Sequence, residues 1–260
     1  MTVVASVPPL SPGRYAFFFD LDGTLAEIQP HPDSVLIPDT VKKTLKKLVD
    51  YCDGAVALVS GRSMTELDHL SAPLHLPLAG VHGAERRDAA GISHATQFDA
   101  DLKRRIASAL ATELQPLKGA HLEKKSAAFA LHYRQAPQYE KAIWQIAESL
   151  AAIHEEIDLQ PGKCVIEVKL KGSDKGTAID AFMQEAPFIG RIPVFLGDDL
   201  TDELGFDAVN RRQGISIKVG DGETRAQRRL EDVSDVWKWL DNTVRQFKEI
   251  DAGNPEENRQ

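Results

Sequence analysis

The sequence predicts an α/β protein: a mostly parallel sheet covered by helices on both sides, interrupted by a second, smaller α/β unit. Three observations predict it. Short, almost wholly apolar runs alternate with helical stripes, the pattern of a buried parallel sheet. Three of those runs stop abruptly on a polar residue, and the middle of the chain breaks the pattern with two longer strands of its own. The 260 residues suffice for one large domain or two modest ones. With 42% hydrophobic and 27% charged residues, the composition excludes a disordered or fibrous chain.

In chain order, Tyr15–Asp20 (YAFFFD) reads as a strand buried on both faces. Asp39–Tyr51 carries Val41, Leu45, Leu48 and Val49 at helical spacing behind Pro38, and Ala55–Ser60 (AVALVS) repeats the first strand's form. Ser63 and Glu66 fit a capping box that opens a second helix. In the middle, Leu102, Ile106 and Leu110 mark a helix over Asp99–Leu114. Phe129, Leu131 and Tyr133 mark one face of a strand over Leu122–Arg134. Ile143, Ile146, Leu150 and Ile153 mark a helix over Pro137–His154, and Cys164–Leu170 is a second long strand. A further helix opens near Ser173 and Asp174 and buries Ala178, Ile179, Phe182 and Met183, followed by the strand Pro193–Asp198 (PVFLGD). Residues 1–86 and 171–260 are therefore expected to form a discontinuous core and residues 87–170 an insertion. Asp251–Gln260, without apolar residues, is expected to fray.

The three core strands end on Asp20, Ser60 and Asp198, which places all three at the carboxyl edge where parallel sheets bind ligands. Asp20-Leu21-Asp22-Gly23-Thr24 puts two carboxylates on a tight turn. Close carboxylates in apolar surroundings require a cation between them or a proton on one of them. Gly197-Asp198-Asp199-Leu200-Thr201-Asp202-Glu203 sets four more acids directly after a strand, an all-oxygen set that points to Mg²⁺. Acids at a helix start are the plainer reading of the same string. Thirty-one Lys and Arg against 39 Asp and Glu leave a net charge of −8, so an anionic substrate needs local help, and nucleic acid and membrane lipid are not expected partners. Cys52 and Cys164 are too few for a disulfide framework or a thiolate metal site and read as core. Neither a signal peptide nor an apolar membrane run is visible, so a cytoplasmic protein is expected, a monomer or else a homodimer.

Asp20-x-Asp22-Gly-Thr-Leu, Ser60-Gly61-Arg62, Lys175 in Gly-Ser-Asp-Lys-Gly, and Gly-Asp198-Asp199-x-x-Asp202 together resemble the ordered four-motif set of the haloacid dehalogenase superfamily (HAD). Gly80-Val81-His82-Gly83-Ala84-Glu85, Glu123-Lys124-Lys125 and His132-Tyr133-Arg134 extend the likeness to the trehalose-6-phosphate phosphatase family along nearly the whole chain. The resemblance implies a Rossmann-like HAD core with an inserted cap, and Mg²⁺-dependent hydrolysis of trehalose 6-phosphate through an aspartyl-phosphate. It implies Asp20 as nucleophile, Asp22 as general acid and base, and Lys175 with Ser60 and Gly61 on the phosphoryl oxygens. Mg²⁺ would be held by Asp20, the Asp22 carbonyl and Asp198, with Asp199 and Asp202 orienting its waters. Glu123, Lys125 and Glu167 match the family's sugar-reading positions. Arg62 has two readings, a substrate contact or a partner for a nearby acid, and His82, Glu85 and Arg134 have equally open roles. The same chemistry on a sucrose, mannosylglycerate or hexose phosphate is the alternative, and a non-catalytic sugar-phosphate sensor is the remote one.

Overall fold

The computed structural model describes residues 7–96, 98–125, 127–162 and 164–253. The apolar run at the start forms β1 (Tyr15–Phe19), with four consecutive phenylalanine and alanine side chains fully buried. The chain continues through α1 (Asp39–Tyr51), β2 (Val56–Val59), α2 (Met64–Ser71), β3 (Leu78–Gly80), β4 (Glu85–Arg87) and β5 (Ser93–Ala95). α1 buries Val41, Leu45 and Leu48, the stripe that marks it in the sequence. α2 opens on the expected capping box, in which Ser63 accepts from the Glu66 N–H and Glu66 from the Ser63 N–H.

The next elements are α3 (Ala100–Leu114), β6 (His121–Lys124), β7 (Ala128–His132), α4 (Glu140–Ile153), β8 (Ile157–Gly162) and β9 (Val165–Leu170). The chain then returns through α5 (Lys175–Phe182), β10 (Ile192–Gly197), α6 (Glu203–Arg211), β11 (Ile215–Val219), β12 (Arg228–Leu230) and α7 (Val233–Gly253). Two compact units result: Met1–His94 with Asp174–Gln260, and Ala95–Ser173.

The first unit is built on an eight-stranded sheet in the order β12-β11-β10-β1-β2-β3-β4-β5. From β12 to β3 every pairing is parallel, and β1 lies between β10 and β2. The carboxyl ends of β1, β2 and β10 therefore lie side by side. β4 turns back antiparallel on β3, with Leu78 opposite Arg87, and Arg87 is held by Asp68 of α2 at 2.7 Å. These contacts keep residues 87–94 with the first unit, whereas the sequence pattern places the insertion from residue 87.

The second unit is a four-stranded antiparallel sheet, β6-β7-β9-β8, with α3 and α4 on one face. Leu102, Ile106 and Leu110 of α3 and Ile143, Ala147 and Leu150 of α4 pack there on Phe129, Leu131, Ile166 and Val168. Several expectations change here. The single strand over Leu122–Arg134 is a hairpin, closed by the Lys125 N–H donating to the Ala128 carbonyl at 2.9 Å, with Ser126 outside the described residues. α4 begins at Glu140 after one 3-10 turn, and Ile153, counted in its stripe, is exposed. Cys52 is core, but Cys164 is only half-buried, in a left-handed turn with φ 62°. α7 runs to Gly253, so the first residues of the supposed tail are helical, and the rest of the tail lies outside the described residues. No helix among the described residues is long and apolar enough to cross a membrane.

Candidate active site

Asp20 ends β1 and is almost fully buried, and its Oδ1 accepts a hydrogen bond from Lys175 Nζ at 2.8 Å. The same ammonium donates to Asp202 Oδ1 at 2.6 Å, so one buried cation serves two buried carboxylates. Asp202 Oδ2 accepts from the N–H groups of Asp198 (3.0 Å) and Asp199 (2.9 Å), which shapes the loop after β10. Lys175 is the first residue of α5, fixed there by the Asp174–Thr177 capping box. With 2% of its surface exposed it is no solvated helix-start lysine.

The carboxylates of Asp20, Asp198 and Asp202 converge within 4.8 Å of one another. Burial pushes the Asp20 carboxyl well above its usual range; Lys175 opposes the shift, while Asp202 and Asp198 add to it. Asp198 is pushed up to about 6, by burial first and by the Asp202 charge second. Burial works against the charge on Lys175, but the two carboxylates outweigh it and raise its pKa. Lys175 thus bonds two of the three acids directly, while its charge and that of Lys218 act on Asp198 from further away. Gly23, at φ 78°, lets the acids approach: a Cβ there would lie 2.1 Å from Asp198 Oδ2. An all-oxygen donor set with surplus charge fits a hard divalent cation, which Asp20 and Asp198 could hold together with the Asp22 carbonyl.

The Asp22 side chain is turned elsewhere. Arg62 grips it with two hydrogen bonds, Nε to Oδ2 at 2.7 Å and Nη2 to Oδ1 at 2.8 Å, so of its two readings Arg62 shows the pairing with a nearby acid. That hydrogen bonding raises the Arg62 pKa further. Asp202, rather than the Asp22 carboxylate, completes the acidic cluster. Asp199 is exposed and caps the following turn by accepting from the Leu200 N–H. Ser60 is buried at the end of β2, and its Oγ accepts from the Arg62 N–H at 3.3 Å, which leaves its O–H to donate to a ligand oxygen. Thr24 Oγ1 is buried without a hydrogen-bond partner among the described residues.

One residue escaped the sequence reading altogether. Lys218 of β11 is buried, and its ammonium donates to the Asp198 carbonyl and to the Val219 carbonyl. A lysine inside the apolar strand ISIKV was the available signal, since a buried ammonium must find acceptors.

Glu123, Lys125 and Glu167 belong to the second unit and share one face of its sheet. The register aligns Glu123, Ala130, Glu167 and Gln160 across β6, β7, β9 and β8, opposite to the helix-covered face. Lys125 Nζ reaches Glu167 Oε1 at 2.6 Å, and His132 meets Glu123 at 2.8 Å. Charged side chains thus stand over the alanines of β7. Arg134 is exposed just beyond that strand.

The sequence profile of the trehalose-phosphatase family matches residues 18–234. The chain is 56% identical to trehalose-6-phosphate phosphatase of Escherichia coli strain K12 over 238 residues, covering 92% of this chain and 89% of that one. A solved structure of a trehalose-6-phosphate phosphatase related protein superposes with a TM-score of 0.72 at 25% identity, covering 90% of this chain and 99% of its own. A phosphatase of the HAD superfamily from Bacteroides thetaiotaomicron shares the fold, with a TM-score of 0.63 at 16% identity over 92% and 98% of the two chains. The profile match and the close bacterial relative lead to one conclusion: the chain belongs to the trehalose-phosphatase family.

Proposed function

We propose that this protein is a Mg²⁺-dependent phosphatase that hydrolyses trehalose 6-phosphate to trehalose and phosphate. The carrying observation is the buried Asp20–Lys175–Asp202 cluster beside Asp198 at the carboxyl edge of a parallel sheet. A carboxylate buried beside other acids, with an ammonium on one of its oxygens, is a held nucleophile with one oxygen left for attack. Bound Mg²⁺ offsets the repulsion between carboxylate and phosphate.

Asp20 forms a bond to phosphorus as the bond from phosphorus to the sugar's oxygen breaks. Asp22 gives that oxygen a proton. In the second step Asp22 takes a proton from water as the water oxygen bonds to phosphorus and the Asp20–phosphorus bond breaks. The bidentate Arg62 pair engages both carboxylate oxygens of Asp22. The first step needs the proton on Asp22, so it requires that pair to open. Ser60 Oγ, the Gly61 N–H and the Lys175 ammonium donate to the phosphoryl oxygens. Residues 95–173 act as the cap, where Glu123, Lys125 and Glu167 read sugar hydroxyls. Acids and lysines on strands suit an uncharged disaccharide rich in donors and acceptors.

Asp20→Asn tests the chemistry. It is expected to lower turnover of trehalose 6-phosphate by at least about 10³-fold while substrate still binds. Acid-quenched wild-type protein should yield a phosphorylated peptide containing Asp20. Undiminished turnover in the variant would overturn the mechanism, and equal rates on glucose 6-phosphate and trehalose 6-phosphate would overturn the substrate.

A further inference from the structure

The segment between β3 and β4 takes part in none of these steps, yet it is the most constrained backbone beside them. Val81 (φ 48°), His82 (φ 54°) and Gly83 (φ 101°) are three consecutive residues in the left-handed region. A β-branched residue there is strained, and strain of this kind persists only where the surroundings over-determine the conformation. The surroundings are the Ser60–Met64 loop and the cap of α5. The Val81 N–H donates to the Arg62 carbonyl at 2.8 Å and the His82 N–H to the Ser60 carbonyl at 2.9 Å. Glu85 Oε2 accepts from the Met64 N–H at 3.4 Å. Both flanking glycines are obligatory by contact. A Cβ on Gly80 would lie 2.8 Å from the Arg62 carbonyl oxygen, and one on Gly83 would lie 2.4 Å from the carbonyl oxygen of Asp174, the residue that caps the Lys175 helix.

The His82 ring completes the arrangement by lying against Gly61, where a Cβ would come within 2.6 Å of Nε2. One short turn therefore touches both the loop that carries Ser60 and Gly61 and the turn that launches Lys175. The Asp20–Asp22 loop also links these two groups, through Lys175 and Arg62, but it does so with the reacting acids themselves, whereas the turn does not use them. Groups that must meet one phosphoryl unit lose much of their effect when displaced by about 1 Å.

We infer that residues 80–85 are a brace that sets the spacing of the Ser60–Gly61 loop against Lys175, and that His82 is a positioning residue acting through Gly61. The inference rests on the reading of Ser60 and Gly61 as the phosphate seat. His82 lies against Gly61, so its removal alters how firmly phosphate is held.

The test uses His82→Asn, because asparagine accommodates a left-handed backbone but loses the ring's contact with Gly61. It is expected to raise both the inhibition constant of inorganic phosphate and KM about tenfold, with melting temperature and Mg²⁺ half-saturation unchanged. Gly61→Ala, which displaces the ring from the other side, should do the same. The double variant should be no worse than the poorer single one, since both remove one contact. His82→Gly serves equally should the asparagine variant not fold. Unchanged phosphate inhibition in His82→Asn, or additive losses in the double variant, would overturn the inference. Ser60→Ala separates the two readings. If it leaves phosphate inhibition intact, the phosphate seat itself is wrong; if it weakens inhibition while His82→Asn does not, only the brace is wrong.

Discussion

Lys175 shows how much one side chain is asked to do. Its ammonium is 2% exposed and is the only buried cation hydrogen-bonded to both Asp20 and Asp202 among the described residues. Breaking a buried ion pair from one side leaves the other charge desolvated and unmatched, at a cost of about 3–5 kcal/mol. Lys175→Met should therefore lower the free energy of urea unfolding by about 3 kcal/mol, in line with that general cost. Adding Asp202→Asn should recover most of the stability but none of the phosphatase activity. Urea titrations followed by tryptophan fluorescence check both, and a single variant as stable as wild type would refute the electrostatic account. The sequence could name Lys175 through the likeness of Gly-Ser-Asp-Lys-Gly to a family motif, and local signals added only that a helix opens near Ser173 and Asp174. It could not choose between the readings of Arg62, since the Asp22–Arg62 pair joins side chains 40 positions apart.

α5 links residue chemistry to architecture. Its cap is reciprocal: Asp174 Oδ1 accepts from the Thr177 N–H at 2.8 Å and Thr177 Oγ1 from the Asp174 N–H at 3.1 Å. This geometry places Lys175 at the first helical position, so the cap aims the lysine as well as starting the helix. Asp174→Ala should cost about 1 kcal/mol of stability, the usual worth of an N-cap, and should lower kcat more than that small loss explains. Thermal melts paired with kcat measurements check it, and a variant of unchanged kcat would show that the cap does not aim Lys175. Helices such as this one were readable from the sequence because stripe and cap are both local signals. In the second unit only β9 was readable as it stands, as Cys164–Leu170, while β6 and β7 were read as one strand and β8 was missed. β8 spells Ile-Asp-Leu-Gln-Pro-Gly, and its proline argues against a strand everywhere except at a sheet edge, which is where β8 lies. The β6–β7 hairpin was hidden because the sequence between Lys124 and Ala128 carries neither Gly nor Asn to punctuate the run. The candidate-site acids Asp20 and Asp198 were legible for the opposite reason, standing where buried strands end abruptly.

Across the whole chain, the first unit is assembled from two segments separated by the residues of the second, and long-range polar contacts join them. Lys175 and Asp20 are 155 positions apart, and Arg86 and Glu185 are 99. Arg86 is buried, grips Glu185 with two hydrogen bonds of 2.7 and 2.8 Å, and lies over the Phe182 ring at 4.9 Å. Hydrogen bonding from Arg86 holds the Glu185 carboxyl below its ordinary value of 4.5. A carboxyl depressed by folding is deprotonated in the native state at pH values where the unfolded chain has begun to bind a proton. Its stabilisation is therefore fully present above the unfolded pKa and is lost as pH falls through the native one. The window for this loss lies below about 4.5, in acid. Glu185→Gln cannot titrate, so it should be less stable than wild type at pH 7, and the gap should narrow as the pH is lowered toward 3. Urea midpoints for both proteins at several acidic pH values would show the convergence. Curves that stay parallel down to pH 3 would mean that this ion pair does not fasten the two segments of the sheet unit together.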